Sequence, residues 1–419
     1  TFRNSYSIIP APLCKFDDMF KLKVHKEIIA YKIYNAENMK RQWIPFDEFY
    51  NQYRIENIDK KSTDELDKDR DQLLRNAKFA KAYKEDTQEI EIMKYATFYC
   101  KKDCITLMDG MKKFNNDLGE VFKNTDKTWV GINQFISVSA VGYDFARIYG
   151  CFDGCYQLSG KPQNFIQRCV SGGRTMTADN VKQYIVDRIQ DFDAVSLYPS
   201  AMYIMDGVPK GKPKVIPHDC THEQLMSYDT FFIEININKI SCKSSRKYRF
   251  GQIFKHNDKG SKIFCNETVN HYYVDKITLM DLMEFYDIEY EFIRGYYFDE
   301  GFNNRINEFI KTLFDLRLKY KSEKNPLEKT IKLLLNSIYG KSILKPMTDE
   351  IVVKDKNKLI SYIYRNYNFI KEVSFNLNTK AFVKKIKPIS NHFNLPQFGA
   401  SVLSWSKHIM NQVMSTAEQ

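Results

Sequence analysis

The 419-residue sequence contains no run of about 18 apolar residues, so it predicts no membrane-spanning helix. It also has no internal repeat and no low-complexity tract. Its nine cysteines lack the two-residue spacing of a zinc ribbon, which favours free thiols in a reducing compartment. His218, Cys220 and His222 form a local group of metal-ligand types, but this alternating spacing is more typical of a loop.

What the chain does have is positive charge and many aromatic side chains. Lysine and arginine outnumber aspartate and glutamate by 63 to 52, giving a net charge of +11 that is compatible with a polyanionic partner. Charge alone is weak evidence, because a generally basic soluble surface gives the same balance. Hydrophobic residues make up 43% of the chain and aromatic residues 14%, enough for cores in about two to four domains.

Apolar periodicity predicts most of the secondary structure. One or two helices are predicted over 90–114, and further helices over 272–286, 304–321, 327–339 and 398–414. Strands are predicted over 184–193 and 231–240, and strands with turns over 347–390. The charge-rich stretch 58–94 favours a solvated helix face. Pro199 starts a short helix, and Asn325-Pro326 breaks the chain between two helices, the second ending at Gly340 as a C-cap.

Two segments are more informative than the rest of the chain. Residues 193–200 read Asp-Ala-Val-Ser-Leu-Tyr-Pro-Ser, and residues 332–340 read Lys-Leu-Leu-Leu-Asn-Ser-Ile-Tyr-Gly. They resemble motifs A and B of the family B DNA polymerases, D-x-x-S-L-Y-P-S and K-x-x-x-N-S-x-Y-G, in the correct order. The resemblance implies a DNA-directed DNA polymerase with an α+β right-hand architecture. An antiparallel palm sheet, helical-hairpin fingers and the C-terminal part of an RNase H-like 3′–5′ exonuclease domain are expected.

In the first motif, Asp193 lies at the end of a predicted strand, where a rigid sheet can hold a carboxylate. The resemblance implies that Asp193 bridges two Mg²⁺ ions, which Mn²⁺ can replace, and that the backbone carbonyl of Ala194 is also a ligand. It further implies that Tyr198 excludes the ribose 2′-hydroxyl sterically. Outside such a motif, an aspartate at a strand end is more often a cap, and a tyrosine an ordinary core residue.

In the second motif, Lys332, Asn336 and Tyr339 are spaced i, i+4, i+7, which places them on one helix face. Arg317 and Lys321 are predicted on the other helix of the hairpin, and the three cations could converge on a triphosphate. A solvated basic face is the alternative for Arg317 and Lys321 considered alone. Lys332 is predicted to be catalytic, and the predicted nucleotide-binding residues are Tyr198, Arg317, Lys321, Lys332, Asn336 and Tyr339.

Two shorter patterns lie upstream. Tyr99 and Asp103 have the Y-x-x-x-D spacing of the third proofreading exonuclease motif, which implies a metal-binding Asp103 and a catalytic Tyr99 that orients water; a helix-surface pair is the alternative. The Gly172-Gly173 pair resembles the YxGG element that contacts the template backbone, although Val170 replaces the aromatic residue. The predicted DNA-binding residues are Gly172, Gly173, Arg174, Ser337 and Gly340.

Further stretches are similar to the protein-primed branch of the family, which serves linear plasmids, some phages, mobile elements and large DNA viruses. They are Lys26-Glu27 with Tyr31, residues 294–301 and residues 401–410. The branch implies primer–template DNA, deoxynucleoside triphosphates and a terminal protein as partners, no membrane, and a monomer in host cytoplasm or organelle. The implied domains are exonuclease 1–125, palm 126–206, terminal-protein insertion 207–300, fingers 301–345, DNA-wrapping insertion 346–392 and palm 393–419.

The main departure from the family pattern concerns the third polymerase motif, D-T-D-S, which this sequence does not contain. The first two exonuclease motifs are also missing. We therefore expect a central fragment of a longer polymerase that is inactive by itself. One alternative is a non-catalytic nucleic-acid-binding polypeptide descended from a polymerase, against which the intact Asp193, Tyr198, Lys332 and Asn336 argue. The other is a nucleic-acid-primed family B polymerase.

Overall fold

A computed structural model of the chain describes most of its length. The described residues are 4–24, 26–122, 131–177, 180–182, 184, 186, 188, 193–243, 250–256, 261–325, 327–344, 349–376, 379–386 and 394–417. The chain divides into two units. The first comprises Thr1–Ser137 with Leu318–Thr330, and the second comprises Val138–Arg317 with Ile331–Gln419.

The first unit is mainly helical. Its helices are α1 (Phe16–Phe20), α2 (Phe46–Asn57), α3 (Thr63–Phe79) and α4 (Ile92–Phe122). Three two-residue strands, β1 (Ile44–Pro45), β2 (Tyr83–Lys84) and β3 (Glu89–Ile90), pair antiparallel in the order β1-β3-β2. Helix α3 begins with a capping box, in which Glu65 N donates to Ser62 Oγ and Ser62 N donates to the Glu65 carboxylate at 2.8 Å.

Of the one or two helices predicted over 90–114, the structure has one, α4, which extends beyond this range to Phe122. Its buried Tyr95 packs edge-on against Phe49 of α2, with ring centroids 5.3 Å apart. Helix α3 buries Leu66, Leu73 and Ala77 and exposes most of its charged residues, which confirms the predicted solvated face. The core of this unit thus fixes the orientation of α4, the helix that carries Tyr99.

The second unit combines helices with antiparallel strands. Its helices are α5 (Val138–Ile148), α6 (Gly160–Arg168), α7 (Leu197–Ile204), α8 (His222–Ser227), α9 (Lys276–Phe285), α10 (Arg305–Ser322), α11 (Leu327–Ser337), α12 (Lys356–Asn366) and α13 (Pro396–Ala417). Residues 318–330 of α10, α11 and the turn between them belong to the first unit. Within the described ranges, no helix is both long and apolar enough to cross a bilayer.

The strands of the second unit are all short except for one central pair. They are β4 (Val208–Pro209), β5 (Lys214–Val215), β6 (Thr230–Cys242), β7 (Ile253–His256), β8 (Lys262–Cys265), β9 (Val269–Asp275), β10 (Tyr286–Phe298), β11 (Phe302–Asn303), β12 (Asp349–Asp355), β13 (Ile370–Asn376) and β14 (Lys380–Ile386). The largest sheet has the antiparallel order β5-β10-β6-β9, with β6 and β10 paired from Cys242↔Tyr286 to Thr230↔Phe298. The other strands form the sheets β12-β14-β13, β11-β4 and β7-β8.

The largest sheet is covered by α9, whose Leu279, Leu282 and Phe285 are fully buried in one core with Phe231 and Ile233 of β6. Helix α13 packs on α9 through polar contacts as well. The buried Asp281 of α9 accepts hydrogen bonds from His408 Nδ1 at 2.6 Å and from Asn411 Nδ2 at 2.7 Å. Buried polar groups joined in this way fix one packing of the two helices.

Several predicted elements are confirmed, namely the strand β6 and the helices α7, α10, α11 and α13. The helix predicted over 272–286 is wrong in its first turn, because β9 runs to Asp275 and Asp275 caps α9 by accepting from Thr278 N at 3.1 Å. The segment 347–390, predicted as strands and turns, contains helix α12. Helix α11 ends at Ser337, so Gly340 is not its C-cap. The strand predicted over 184–193 lies mostly outside the described residues.

Candidate active site

The segment Asp193–Ser200 forms a tight turn that leads into α7. Asp193 is exposed at the start of this turn. Ser196 precedes the helix in the left-handed region, with φ of +51°, a conformation that costs a non-glycine residue about 1 kcal/mol. Pro199 is tolerated because it lies in the first turn, where its missing N–H has no helical partner. The motif therefore encodes a strained turn followed by a helix start.

The strained turn contacts α10. Arg317 Nη1 donates a hydrogen bond to Ser196 Oγ at 3.1 Å, and Ser200 Oγ donates to the carbonyl of Val195 at the same distance. Arg317 is half-buried. Arg317, a predicted nucleotide-binding cation, thus contacts a residue that lies three positions after Asp193 in the chain. Lys321, the second predicted cation of α10, is exposed and belongs to the first unit.

Tyr198 and Tyr339 join the two motifs. Their ring centroids are 4.6 Å apart with an angle of 37° between the rings, and both residues are half-buried. Burial raises the pKa of the Tyr339 phenol, and the neighbouring Tyr198 raises it further, so the Tyr339 hydroxyl stays protonated at neutral pH. A Cβ built on Gly173 would lie 3.9 Å from the Tyr198 hydroxyl. Motif A, motif B and the Gly-Gly element therefore meet at this aromatic pair.

Helix α11 has one exposed face, which carries predicted functional residues, and one buried face. Lys332 and Asn336 are exposed on one side, and the opposite side is buried through residues that include Ile331 and Leu335. This arrangement is the expected amphipathic one and leaves Lys332 and Asn336 accessible to a ligand.

Two predicted DNA-binding residues of the second motif contact α5 instead of pointing outward. Ser337 is buried, and its hydroxyl is within hydrogen-bond distance of the Leu334 carbonyl at 2.9 Å and the Val138 carbonyl at 3.3 Å. A Cβ on Gly340 would lie 3.1 Å from Ser139 Oγ, closer than most side chains tolerate. In this structure Ser337 and Gly340 therefore anchor the end of α11 on α5.

The Gly-Gly element is open to solvent on one side. Gly172 has a φ of +70°, which favours glycine, and no atom of the described residues would meet a Cβ built there within 4 Å. Arg174, by contrast, is turned inward, because Nη1 donates to the Gly251 carbonyl at 3.3 Å and Nη2 donates to Asn411 Oδ1. In the structure, Gly172 and Gly173 are therefore accessible. Arg174 instead joins the Gly-Gly element to Gly251 and to Asn411 of α13 through hydrogen bonds.

Sequence reasoning did not identify two lysines that hold this element from behind. Lys262 donates to the carbonyl of Ser171, and Lys407 donates to its hydroxyl. Burial lowers the pKa of Lys262 to about 8, and the positive charge of Lys407 lowers it further. Lys262 lies in β8 and Lys407 in α13, so no local spacing in the sequence connects either residue with Ser171.

In the first unit, Tyr99 and Asp103 lie one turn apart on α4. The Tyr99 hydroxyl is 2.7 Å from the Tyr31 hydroxyl, and the two rings meet edge-on. Burial raises the pKa of Tyr99, and its hydrogen bonds with Tyr31 and Asp103 raise it further. Asp103 Oδ1 is buried, and no described residue donates a hydrogen bond to it. Sequence reasoning used Tyr31 only as a marker of the protein-primed branch and missed this contact.

The carboxylates can be tested as metal ligands. Asp193 is exposed and its oxygens are hard donors of the kind that Mg²⁺ prefers, so it fits as one ligand together with the Ala194 carbonyl. The unpartnered Oδ1 of Asp103 fits as a second, separate ligand site. Within the described part of the chain, no group of three or more His, Cys, Asp or Glu side chains could by itself surround a metal ion.

Comparisons with known proteins agree with this geometry. The model of the family "DNA polymerase type B, organellar and viral" matches residues 1–419, so the chain belongs to this family. Among curated proteins, it is 22% identical to a DNA polymerase of Kluyveromyces lactis over 354 residues, which are 82% of this chain and 33% of that protein. It is 23% identical to a probable DNA polymerase of Neurospora intermedia over 67% of this chain and 29% of that protein. The chain thus spans about a third of the length of the curated relatives it matches.

Solved structures show the same fold. Phi29 DNA polymerase complexed with primer-template DNA and incoming nucleotide substrates is 17% identical, with a TM-score of 0.57 over 99% of this chain and 58% of that chain. Its post-translocation binary complex with primer-template DNA gives a TM-score of 0.53 over 96% of this chain and 55% of that chain. These findings confirm the predicted family and the right-hand α+β fold.

Proposed function

We propose that the chain carries the nucleotide-binding and template-binding part of a DNA-directed DNA polymerase. The observation that supports this most strongly is the meeting of Tyr198 with Tyr339, because it joins two motifs that lie 140 residues apart. The Phi29 structures, whose complexes contain primer-template DNA and incoming nucleotides, favour the same partners here.

In the proposed reaction, each side chain has a physical role. Lys332 and Arg317 neutralise charge on the triphosphate and on the departing pyrophosphate. Tyr198 blocks the space that a 2′-hydroxyl would need, and Tyr339 stacks on the nascent base pair. Asp193 binds Mg²⁺, with Mn²⁺ as a possible replacement, and the metal ion when bound activates the primer hydroxyl and orients the triphosphate.

Finer features of the function are also proposals. Resemblance to the protein-primed branch supports a terminal protein as a partner, with residues 207–300 holding it and residues 346–392 wrapping DNA. The contacts among Tyr31, Tyr99 and Asp103 support a 3′–5′ exonuclease activity in which Tyr99 orients water. Organellar or viral DNA replication is the process that the family description favours.

The metal-binding role of Asp193 is tested by replacing its carboxylate with an amide. We expect Asp193→Asn to weaken binding of Mn²⁺ with a deoxynucleoside triphosphate by ~10-fold or more, because one charged ligand is lost. The measurement is the paramagnetic relaxation of water protons by bound Mn²⁺, titrated with the 419-residue chain. Primer–template affinity, measured in parallel, should stay nearly unchanged.

The matched control is Asp206→Asn, which removes another exposed carboxylate near the end of α7. This variant should bind Mn²⁺ and nucleotide as the unaltered chain does. If Asp193→Asn and Asp206→Asn both leave metal binding unchanged, Asp193 is not a metal ligand and the proposed role is wrong.

A further inference from the structure

A groove with a positively charged rim lies between α6 and the strand β10. Its volume is about 380 Å³, similar to the lower range of small-ligand sites. Lys161 and Arg168 of α6 line one side, and Arg294 and Tyr296 of β10 line the other. Among the described residues that line it, none is acidic. We call this feature the α6 groove.

Two arginines of the α6 groove are held in fixed positions by one tyrosine. Arg168 Nη1 donates to the Tyr273 hydroxyl at 2.6 Å, and its guanidinium lies 5.2 Å from the centre of the same ring. Hydrogen bonds with Glu234 and with Tyr273 raise the pKa of Arg294. The two like charges therefore converge on one hydroxyl, an arrangement that an anion in the groove would stabilise.

The nearby carboxylate of Glu234 offsets the charge of Arg294 but not the charges on the α6 side of the groove. Glu234 is only 3% exposed, and it accepts a hydrogen bond from Arg294 Nε at 2.6 Å. It also lies 2.8 Å from His271 Nδ1. Glu234 therefore pairs with Arg294 and orients it, and none of the described residues that line the groove offers a carboxylate to Lys161 or Arg168.

The floor of the α6 groove is aromatic. The buried Phe165 contacts Tyr296 edge-on, with centroids 5.3 Å apart, and contacts Tyr273 in the same way at 5.2 Å. Tyr296 is half-buried and faces the groove. Fixed cations around an aromatic face are the combination that binds single-stranded nucleic acid, since phosphates pair with the cations and bases stack on the ring.

The α6 groove also lies near the candidate nucleotide site. Gly172 follows Arg168 by four positions, a distance of at most ~14 Å along the chain. Gly173 follows and faces the Tyr198 hydroxyl. A strand that passes the open Gly-Gly element could therefore continue into the groove.

We propose that the α6 groove binds single-stranded nucleic acid, with phosphates on Lys161 and Arg168 and a base against Tyr296. The proposal rests on the proposed function, because it assumes that the chain handles DNA. It adds a site on the α6 side of the sheet that is separate from Asp193 and from the exposed face of α11.

The test compares two double variants of the 419-residue chain. Lys161→Gln/Arg168→Gln removes two cations of the α6 groove. The matched control is Lys239→Gln/Lys255→Gln, which removes two exposed lysines that pair with Glu289 and Glu267 and do not line the groove. Binding of a fluorescent oligo-dT of about 12 nucleotides is measured by anisotropy over a range of salt concentrations.

The groove variant should bind oligo-dT roughly 10-fold more weakly or worse. The slope of log affinity against log salt should fall by about 1.4, because each lost phosphate contact with a single strand removes ~0.7. The control pair should change neither quantity. Arg168→Lys keeps the charge and should retain most of the affinity, and the melting temperature of each variant shows whether it folds.

Other results would overturn the proposal. One is an unchanged slope and affinity in the folded groove variant. Another is that polyglutamate displaces oligo-dT from the unaltered chain as effectively as unlabelled oligo-dT does. That result would make the groove a site for acidic protein segments. If primer–template still binds in either case, only the groove proposal fails. If the unaltered chain binds neither DNA, the proposed function fails with it.

Discussion

Tyr198, which we propose tests the sugar sterically, lies next to the ring of Tyr339 and the open Gly173. We expect Tyr198→Val to reduce the preference for deoxyribonucleotides over ribonucleotides by about 10-fold, because the smaller side chain leaves room for a hydroxyl. The measurement is competition between the two nucleotides for the complex of the chain with primer–template DNA.

Tyr203 provides the matched control, since it is an exposed tyrosine on the same helix α7. Tyr203→Val should leave the preference unchanged. A preference that stays the same in Tyr198→Val would show that Tyr198 is only a packing residue.

At the residue scale, the sequence predicted which side chains share an exposed helix face. It did not predict which residues form hydrogen bonds with each other. The spacing of Lys332 and Asn336 predicts a shared exposed face, which the structure has. Ser337 belongs to the same motif as Lys332, and Arg174 follows the Gly-Gly pair. Both were predicted to bind DNA, yet in the structure both make internal hydrogen bonds. Those contacts involve residues up to 237 positions away, which no local spacing encodes.

At the scale of elements, the contact between α9 and α13 predicts a pH dependence. The hydrogen bond with Asp281 raises the pKa of His408, and Glu284 adds to the effect, while partial burial opposes it. A histidine whose pKa is raised by folding stabilises the folded state fully below its ordinary pKa of about 6.5. This contribution is lost as the pH rises through the raised pKa.

We therefore expect the free energy of unfolding to decrease as the pH rises above about 6.5 in the unaltered chain, and to decrease less in His408→Gln. The measurement is urea unfolding at several pH values. His218→Gln replaces an exposed histidine outside this contact and should behave as the unaltered chain does. Equal pH dependence in His408→Gln and the unaltered chain would contradict the proposed pairing.

Elements with one dominant periodicity were predicted correctly, as in α10, α11 and β6. Two of the errors arose where local periodicity and residue preference do not decide the element, each for its own physical reason. Tyr272 and Val274 fit a strand and a helix equally well, and the start of α9 is decided by the Asp275 cap. Helix α12 contains Ile360, Tyr362 and Tyr364, which favour strands, and its packing on Val383 through Leu359 overrides that preference.

At the scale of the whole molecule, two short motifs were enough to predict the family and the right-hand fold. The limits assigned to the exonuclease, the fingers and the two insertions stay predictions. The two predicted insertions contain no recognisable motif of their own. Their limits were therefore inferred only from the positions of the motifs on either side. The α6 groove was not predicted, since it depends on a sheet that brings Arg294 beside Arg168.

We propose that the site around Asp193, Tyr198 and Lys332 selects a nucleotide against a template. The most direct measurement is the dissociation rate of the chain from primer–template DNA with a terminated primer, in the presence of each nucleotide and Mg²⁺. The complementary deoxynucleotide should slow dissociation by about 10-fold, a coupling of ~1.4 kcal/mol, and the other three should not. Asp193→Asn and Lys332→Ala should lose this effect. Dissociation that is equally fast with all four nucleotides would contradict the account.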